Sequence, residues 1–175
     1  MVSGSLKNRS LLSPADSLVR PTSDKVRAAL FSSLGDVECL RFLDLFAGSG
    51  AVGIEAYSRG ALYVCFVEKA AGVLKKNLTL LPKESYRLIE KDIFRHSFSE
   101  SFNIVFADPP YGLYKPEKVL NFVKNEKLLA DGGILVYEES VRTLFSVEMT
   151  EYEIIKERKY GDTVLYYLIQ REFEV

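Results

Sequence analysis

From Leu40 onward, short apolar runs typical of β-strands alternate with longer stretches that have the spacing of amphipathic helices. Strands separated by helices predict βαβ units, in which parallel strands form one sheet and helices cover both of its faces. The chain has 175 residues and is 47% hydrophobic, which is enough for one domain with a buried core. The alternation therefore predicts an open α/β sheet.

The bounds of the predicted elements follow from the apolar periods and from the glycines and prolines that interrupt them. Strands are predicted at residues 40–45, 62–67, 86–90, 104–107 and 134–137, and helices at residues 23–34, 51–58, 69–80 and 116–124. Thr22 is predicted to cap the first helix. Asp131-Gly132-Gly133 is predicted to form the turn before the fifth strand.

The last part of the chain has a different pattern. Strands are predicted at residues 152–158 and 164–169, without a helix between them. Gly161-Asp162 suits a two-residue type II′ turn, which joins antiparallel strands. We therefore expect an antiparallel pair at one end of an otherwise parallel sheet.

Charge and cysteine content exclude several classes of protein. The formal net charge of −1 is unlike a protein that binds nucleic acid over its whole surface. Residues 1–27, however, carry five basic and two acidic side chains, a charge of +3 against −4 in the remainder. Cys39 and Cys65 are too far apart for a Cys-x-x-Cys site, so neither zinc nor a disulfide is expected. No apolar run approaches the ~20 residues of a membrane span, and a cytoplasmic protein is expected.

A glycine-rich loop lies between the first predicted strand and the helix after it. Gly48 to Gly53 match the pattern G-x-G-x-x-G in the context that a dinucleotide or nucleoside cofactor requires. Glu68, at the end of the second predicted strand, is placed to accept hydrogen bonds from the two hydroxyls of an adenosine ribose. Nicotinamide cofactors and S-adenosylmethionine share these features.

Asp44, before the loop, favours the second cofactor. A carboxylate at this place would repel a pyrophosphate, whereas it can accept hydrogen bonds from a cationic α-amino group. S-adenosylmethionine carries that amine and no phosphate. Asp92, after the third predicted strand, is placed to meet the adenine amino group, with Ile93 beside the ring.

Asp108-Pro109-Pro110-Tyr111 follows the fourth predicted strand and suits a planar amine. The prolines hold the loop extended, so that the Asp108 side chain and the Pro109 carbonyl can accept from an exocyclic NH2. Tyr111 offers a face on which a base can stack. We expect direct in-line methyl transfer to such a nitrogen, with much of the rate supplied by positioning.

Five segments carry a resemblance to a known family. They are Arg20 to Arg27, Leu43 to Gly50, Ser58 to Ala61, Asp108 to Tyr111 and Tyr160 to Thr163. In this order they resemble the RsmD family of bacterial small-subunit (16S) ribosomal RNA guanine-N2 methyltransferases. The resemblance implies a class I S-adenosylmethionine-dependent methyltransferase (Rossmann-like) fold. Its sheet would be seven-stranded and mostly parallel, with a C-terminal antiparallel hairpin and a short N-terminal extension.

The same resemblance implies an RNA-contacting arm or hairpin at residues 1–20 and a methyltransferase domain at residues 21–175. It implies S-adenosylmethionine as the methyl donor, S-adenosylhomocysteine as its product and no metal. The expected partner is small-subunit ribosomal RNA, free or within an assembling 30S particle, and the protein is expected to be a monomer that does not bind membranes.

Three groups of site residues are predicted. The cofactor-binding group is Asp44, Phe46, Ala47, Gly48, Ser49, Gly50, Glu68, Lys69, Asp92 and Ile93. The catalytic group is Asp108, Pro109, Pro110 and Tyr111. The RNA-binding group is Lys7, Arg9, Arg20, Thr22, Lys25 and Arg27.

The chain departs from the family pattern at one place near its start. The pattern G-x-x-K-G-R reads Gly4-Ser5-Leu6-Lys7-Asn8-Arg9, with Asn8 for the second glycine. Because Asn tolerates a positive φ better than most residues, we expect the turn to persist.

Three other functions remain open from the residues alone. An amino-methyltransferase acting on DNA adenine or cytosine, or on a protein glutamine, would use the same Asp-Pro-Pro-Tyr loop. A nicotinamide-dependent oxidoreductase is disfavoured by Asp44. A non-enzymatic RNA-binding or assembly factor on a methyltransferase scaffold is disfavoured by the intact carboxylates.

Overall fold

The computed structural model describes residues 1–13, 23–148 and 150–171. Its strands are β1 (Arg41–Leu45), β2 (Tyr63–Val67), β3 (Tyr86–Ile89), β4 (Phe102–Ala107), β5 (Leu129–Ser140), β6 (Tyr152–Tyr160) and β7 (Thr163–Gln170). Its α-helices are α1 (Asp24–Leu34), α2 (Ala51–Ser58), α3 (Gly72–Asn77) and α4 (Pro116–Asn125). Short 3₁₀ turns lie at Leu78–Leu80, Lys83–Ser85 and Ile93–Arg95. The strands form a sheet in the order β3-β2-β1-β4-β5-β7-β6.

The chain divides into two compact units, Met1–Arg95 and His96–Val175. In the first unit β1, β2 and β3 are parallel, and Leu45, Val67 and Ile89 lie in register at their carboxyl ends. Helix α2 packs against β1 and β2. In the second unit β4 and β5 are parallel, whereas β5 with β7 and β7 with β6 are antiparallel. The predicted change from parallel to antiparallel pairing is therefore confirmed.

Helix α2 begins and ends at the predicted residues. Gly50 precedes it with a φ of +81°. A Cβ at Gly50 would lie 2.4 Å from Leu74 Cδ1, so that only glycine fits there without a shift of that side chain. Gly60, which follows the end of the helix, has a φ of +102°. The loop and helix thus form as their glycines predict.

The first helix ends at the predicted residue but begins one residue later than predicted, and it has a different cap. Ser23, in extended backbone, is the N-cap of α1, and its Oγ accepts from Val26 N at 3.3 Å. The prediction of Thr22 as the cap was wrong by one residue, because the hydroxyl that reaches an N–H three positions on belongs to Ser23. Thr22 itself lies outside the described residues.

The predicted helix at residues 69–80 is shorter in the structure. Helix α3 begins at Gly72, and its last turn passes into the 3₁₀ turn Leu78–Leu80. The Ala70 N–H donates to Glu68 Oε1 at 2.8 Å, so the residues after β2 form a side-chain-bonded turn before the helix starts.

Strand β5 runs through the glycines that were predicted to form a turn. Phe102 pairs with Leu129 and Ile104 with Ile134, so β5 accommodates extra residues in an irregularity of the pairing. A Cβ on Gly133 would lie 2.8 Å from Ala130 O and 3.1 Å from Phe102 O. The glycines therefore permit a bulge and a close backbone approach instead of ending the strand.

The hairpin of β6 and β7 has the predicted turn. Gly161 has a φ of +61°, whereas Asp162 is not among the residues with positive φ. A positive φ at the first central residue alone is the mark of a type II′ turn.

Two further findings bear on the expectations from composition. Within residues 1–13, 23–148 and 150–171, no helix has the length and apolar character needed to cross a membrane. The same part of the chain holds no group of three or more His, Cys, Asp or Glu side chains that could bind a metal ion.

Candidate active site

Asp44 is a buried carboxylate on β1, one residue before the strand ends, and is 1% exposed. Its Oδ2 accepts a hydrogen bond from Gly53 N in α2 at 2.8 Å. Burial raises the pKa of Asp44 to about 7; the Gly53 hydrogen bond opposes this rise and the charge of Glu68 adds to it. A cation beside Asp44 would favour the ionised carboxylate, so this position suits a ligand with a positive group.

The loop between β1 and α2 turns sharply. Phe46 and Gly48 have φ values of +61° and +55°. Nothing lies within 4 Å of the position that a Cβ would take on Gly48, so this side of the loop is open. A ligand can therefore approach the loop closely at Gly48.

Glu68 follows β2 and holds this loop in place. Its Oε2 accepts from Gly48 N and its Oε1 from Ala70 N, both at 2.8 Å. Each carboxylate oxygen can accept a second hydrogen bond, so Glu68 can still receive hydroxyl donors while it supports the backbone. Lys69, beside it, is exposed.

Asp92 lies beyond the end of β3. Its Oδ1 accepts from Phe94 N at 3.0 Å and so stabilises the 3₁₀ turn. Ile93 is 3% exposed, and its side chain belongs to the core of the first unit. Because β1, β2 and β3 are parallel and in register, Asp44, Glu68 and Asp92 all lie at or just beyond the carboxyl ends of these three strands.

The loop Asp108 to Tyr111 belongs to the second unit and follows β4, whose last residue, Ala107, pairs with Tyr137 of β5. Pro109 is buried, Asp108 is partly exposed and Tyr111 is 53% exposed. Burial raises the pKa of the Tyr111 hydroxyl, and a hydrogen bond with the Thr163 side chain opposes that rise. The Thr163 contact fixes one end of Tyr111 and leaves much of its side chain accessible.

Two buried carboxylates near this loop were not predicted. Glu138 and Glu139, at the end of β5, are 4% and 3% exposed, and their charges raise the pKa of Tyr111. Two consecutive glutamates after an apolar strand are more commonly a solvated strand end, and the sequence contains no signal that they would be covered.

Glu55 is another buried carboxylate that the sequence analysis missed. Its side chain in α2 is 0% exposed and lies 2.9 Å from Arg59 Nε. Its two oxygens also accept from Val2 N and Ser3 N, at 2.8 and 2.9 Å. A glutamate in an otherwise apolar helix was the available signal, because a buried charge needs partners.

The predicted RNA-binding residues fall into three groups. Lys7, Arg9 and Lys25 are exposed. Arg27 is 5% exposed and pairs with Asp24 at 2.6 Å, so its guanidinium supports the start of α1 and is not at the surface. Arg20 and Thr22 lie outside the described residues.

The turn at the start of the chain persists despite the departure at Asn8, as predicted. Asn8 has a φ of +67°. Its N–H donates to Met1 O at 3.1 Å, and Arg9 N donates to Leu6 O at 3.0 Å. Asn8 therefore adopts the left-handed conformation that glycine adopts most readily and that asparagine tolerates.

Comparison with solved structures defines the class. Escherichia coli yhhF superposes with a TM-score of 0.84 and 32% identity, over 98% of this chain and 97% of that chain. The ribosomal protein L11 methylase of Lactobacillus delbrueckii shares the fold, with a TM-score of 0.68 and 16% identity, over 85% of this chain and 78% of that chain. With the strand order and the carboxylates at the strand ends, the fold is the class I methyltransferase fold.

Comparison of sequences shows the family. The model of the family described as Conserved hypothetical protein 95 matches residues 1–169. Ribosomal RNA small subunit methyltransferase D of Escherichia coli is 33% identical, over 98% of this chain and 89% of that protein. The protein of the same name from Haemophilus influenzae is 32% identical, over 82% of this chain and 79% of that protein. The chain belongs to this family, the RsmD family.

Proposed function

We propose that this protein transfers a methyl group from S-adenosylmethionine to the exocyclic N2 of a guanine in small-subunit ribosomal RNA. The observation that carries the proposal is the buried Asp44 carboxylate, which has a raised pKa and lies beside a glycine loop with an open side. The relatives named ribosomal RNA small subunit methyltransferase D support the choice of substrate. Cytoplasmic location, a monomeric state and a 30S particle as substrate belong to the same proposal.

The residues of the first unit fit the proposed cofactor. Asp44 would hold a cationic α-amino group, because its ionised form is disfavoured by burial until a cation is near. Glu68 would accept from the ribose hydroxyls, Gly48 would allow close approach, and Asp92 would meet the adenine amino group. The cofactor, when bound, supplies an electrophilic methyl group.

The residues of the second unit would bind and orient the amine. Asp108 and the Pro109 carbonyl would accept its two N–H donors and favour a nitrogen whose lone pair is directed at the methyl. Tyr111 would stack on the base, which has to leave any helix before its amine can react. After transfer the methylated nitrogen would lose one proton, and the Asp108 carboxylate hydrogen-bonded to it would accept that proton, so that no histidine or cysteine would be needed.

The domain division proposed from the sequence is retained. Residues 1–20 would contact RNA and residues 21–175 would carry the methyltransferase chemistry. Support comes from the exposed cations Lys7 and Arg9, which lie in a turn of the first thirteen residues.

Mapping of modified nucleosides in cells tests this function. Small-subunit ribosomal RNA from cells lacking the protein should lose one N2-methylguanosine, which returns with the intact gene and not with an Asp108→Ala gene. If cells with and without the protein contained the same modified nucleosides, the proposed substrate would be contradicted. A loss of N6-methyladenine in DNA or of N5-methylglutamine in a protein would support an amino-methyltransferase of another class.

A further inference from the structure

We propose that Asn77 is a positioning residue that ties the N-terminal segment, residues 1–13, to the cofactor loop, so that RNA binding and cofactor binding favour each other. The inference rests on the proposed function, in which Lys7 and Arg9 of the segment contact RNA. It gives a role to a buried amide that no part of the mechanism uses.

The contacts of Asn77 join two segments that are far apart in sequence. The side chain is 3% exposed. Its Oδ1 accepts from Leu12 N and its Nδ2 donates to Leu12 O, both at 2.9 Å. The Nδ2 also donates to Ser49 O at 2.9 Å. One amide therefore holds the end of the N-terminal segment and the middle of the Gly48 to Gly50 loop.

The beginning of the same segment is fixed to the helix that follows the loop. Glu55 accepts from Val2 N and Ser3 N, and Ser58 Oγ accepts from Leu6 N at 2.9 Å. A Cβ on Gly4 would lie 1.6 Å from Ser58 O, so the segment and α2 are in backbone contact. The segment is thus attached at both ends to the loop and helix of the cofactor site.

A cleft brings the exposed cation Arg9 to this loop. Asn8 and Arg9 line a cleft of about 530 Å³ together with Ser49 and Ala51. A phosphate bound at Arg9 would hold the segment in this attached position, and Asn77 would transmit that restraint to Ser49. Because linkage is reciprocal, RNA would then raise cofactor affinity by the factor by which the cofactor raises RNA affinity.

Asn77→Asp and Asn77→Ala test this role. Asp keeps the acceptor for Leu12 N but presents a carboxylate oxygen to the carbonyls of Leu12 and Ser49, and Ala removes all three hydrogen bonds. Thr79→Ala is the matched control, because Thr79 is exposed and, within the part of the chain that the structure describes, its hydroxyl bonds only to Lys76 O, at 2.7 Å.

The measurement is the dissociation constant of S-adenosylhomocysteine for the full chain, by calorimetry, with and without a saturating small-subunit ribosomal RNA transcript. RNA should raise the affinity of the parent and of Thr79→Ala by about fivefold or more. Both Asn77 variants should bind the free ligand about three- to tenfold more weakly, and RNA should change their affinity by less than twofold. If Asn77 were purely structural, its substitution would weaken S-adenosylhomocysteine binding but leave the ratio of the affinities with and without RNA unaltered.

The inference is overturned if the parent shows no RNA-dependent change, or if both Asn77 variants keep the parent's ratio. Should they fail to fold, Gly4→Ala decides, since it displaces the segment from Ser58 without changing Asn77: a parental ratio in it would likewise overturn the inference. A Lys7→Ala, Arg9→Ala variant separates the two proposals. If the RNA affinity of that variant is unchanged, the RNA contact of the proposed function is rejected. If its RNA binding is weakened, but RNA changes the S-adenosylhomocysteine affinity of the Asn77 variants as much as that of the parent, the inference alone is rejected.

Discussion

At the scale of single residues, the carboxylates of Asp44 and Glu68 differ in how much a bound cation would stabilise their ionised forms. Asp44 is buried with one backbone N–H as its donor, and its pKa is raised to about 7 by that burial. Glu68 is partly exposed and accepts from two backbone N–H groups. A cation thus relieves Asp44 of a desolvation cost, whereas Glu68 is already stabilised and contributes further acceptors.

The raised pKa of Asp44 predicts a pH-dependent affinity. Since the ionised form binds a cationic ligand, S-adenosylhomocysteine affinity should rise about tenfold from pH 6 to pH 8. Asp44→Asn should bind more weakly and without this pH dependence. Calorimetry at both pH values is the measurement, and a parental pH profile in Asp44→Asn would contradict the assignment.

The same group predicts how stability without ligand depends on pH. Its pKa is raised from 3.8 to about 7 on folding, so the folded state retains a proton that the unfolded state has lost between these values. Stability from Asp44 is therefore fully present below pH 3.8 and falls as pH rises through about 7. In urea titrations, Asp44→Asn should remove the part of the fall in unfolding free energy that Asp44 causes. If the free energy of unfolding depended on pH in the same way in both proteins, this prediction would be refuted.

Glu68→Ala should weaken S-adenosylhomocysteine binding about ten- to a hundredfold, because a charge-assisted hydrogen bond contributes about 1.5–3 kcal/mol. Glu90→Ala is the control, since Glu90 is an exposed carboxylate that follows β3 and pairs with Lys75. Equal affinity in the Glu68 variant and this control would remove Glu68 from the site.

At the scale of elements, the loop after β4 is where recognition of the amine would be separable from cofactor binding. Asp108→Ala and Tyr111→Ala should slow single-turnover methyl transfer at least about a hundredfold, with S-adenosylhomocysteine affinity unchanged. Tyr111→Phe is the matched variant, because it keeps the stacking face and loses the Thr163 hydrogen bond. Rates within a few-fold of the parent for both alanine variants would reject the mechanism.

The glycines of β5 show why some elements were not predictable. Asp131-Gly132-Gly133 has the composition of a turn, but Gly133 lies against the backbone of β4, a long-range contact that no local pattern contains. Helix α2 and the type II′ turn carry their signals in neighbouring residues, and both were predicted. Local chemistry thus predicts this helix and this turn, whereas a close approach between two strands that are distant in sequence leaves no local signal.

The contact at Gly133 has a measurable consequence for stability. Gly133→Ala should destabilise the protein by about 1–3 kcal/mol, because its Cβ would overlap backbone atoms of Ala130 and Phe102. Gly72→Ala should be neutral or stabilising, since nothing lies within 4 Å of that Cβ position. Urea midpoints compare the two, and equal midpoints would show that β5 adapts to the added methyl.

At the scale of the whole molecule, the sequence shows which residues are charged but not which of them are covered. Lys7 and Arg9 are exposed, whereas Arg27, from the same basic stretch, is buried against Asp24 and lies near Glu55. Glu55 and Asn77 were missed as well, because their partners in the N-terminal segment are more than fifty residues away in the chain. The motif residues of the candidate site could be predicted, and its supporting contacts could not.

The exposed basic residues give a prediction about RNA affinity. Each phosphate contact to single-stranded RNA contributes about −0.7 to the slope of log affinity against log salt concentration. The Lys7→Ala, Arg9→Ala variant should show weaker binding and a slope shallower by about 1.4. A slope equal to that of the parent would place RNA binding on another surface.

The most direct test of the central claim is the identity of the methylated product. The protein would be incubated with methyl-labelled S-adenosylmethionine and small ribosomal subunits from cells that lack it, and the RNA would then be digested to nucleosides and separated. We expect the label in N2-methylguanosine alone, with none in the Asp108→Ala reaction. Label in another nucleoside, or no transfer by the parent to free RNA or to subunits, would contradict the account.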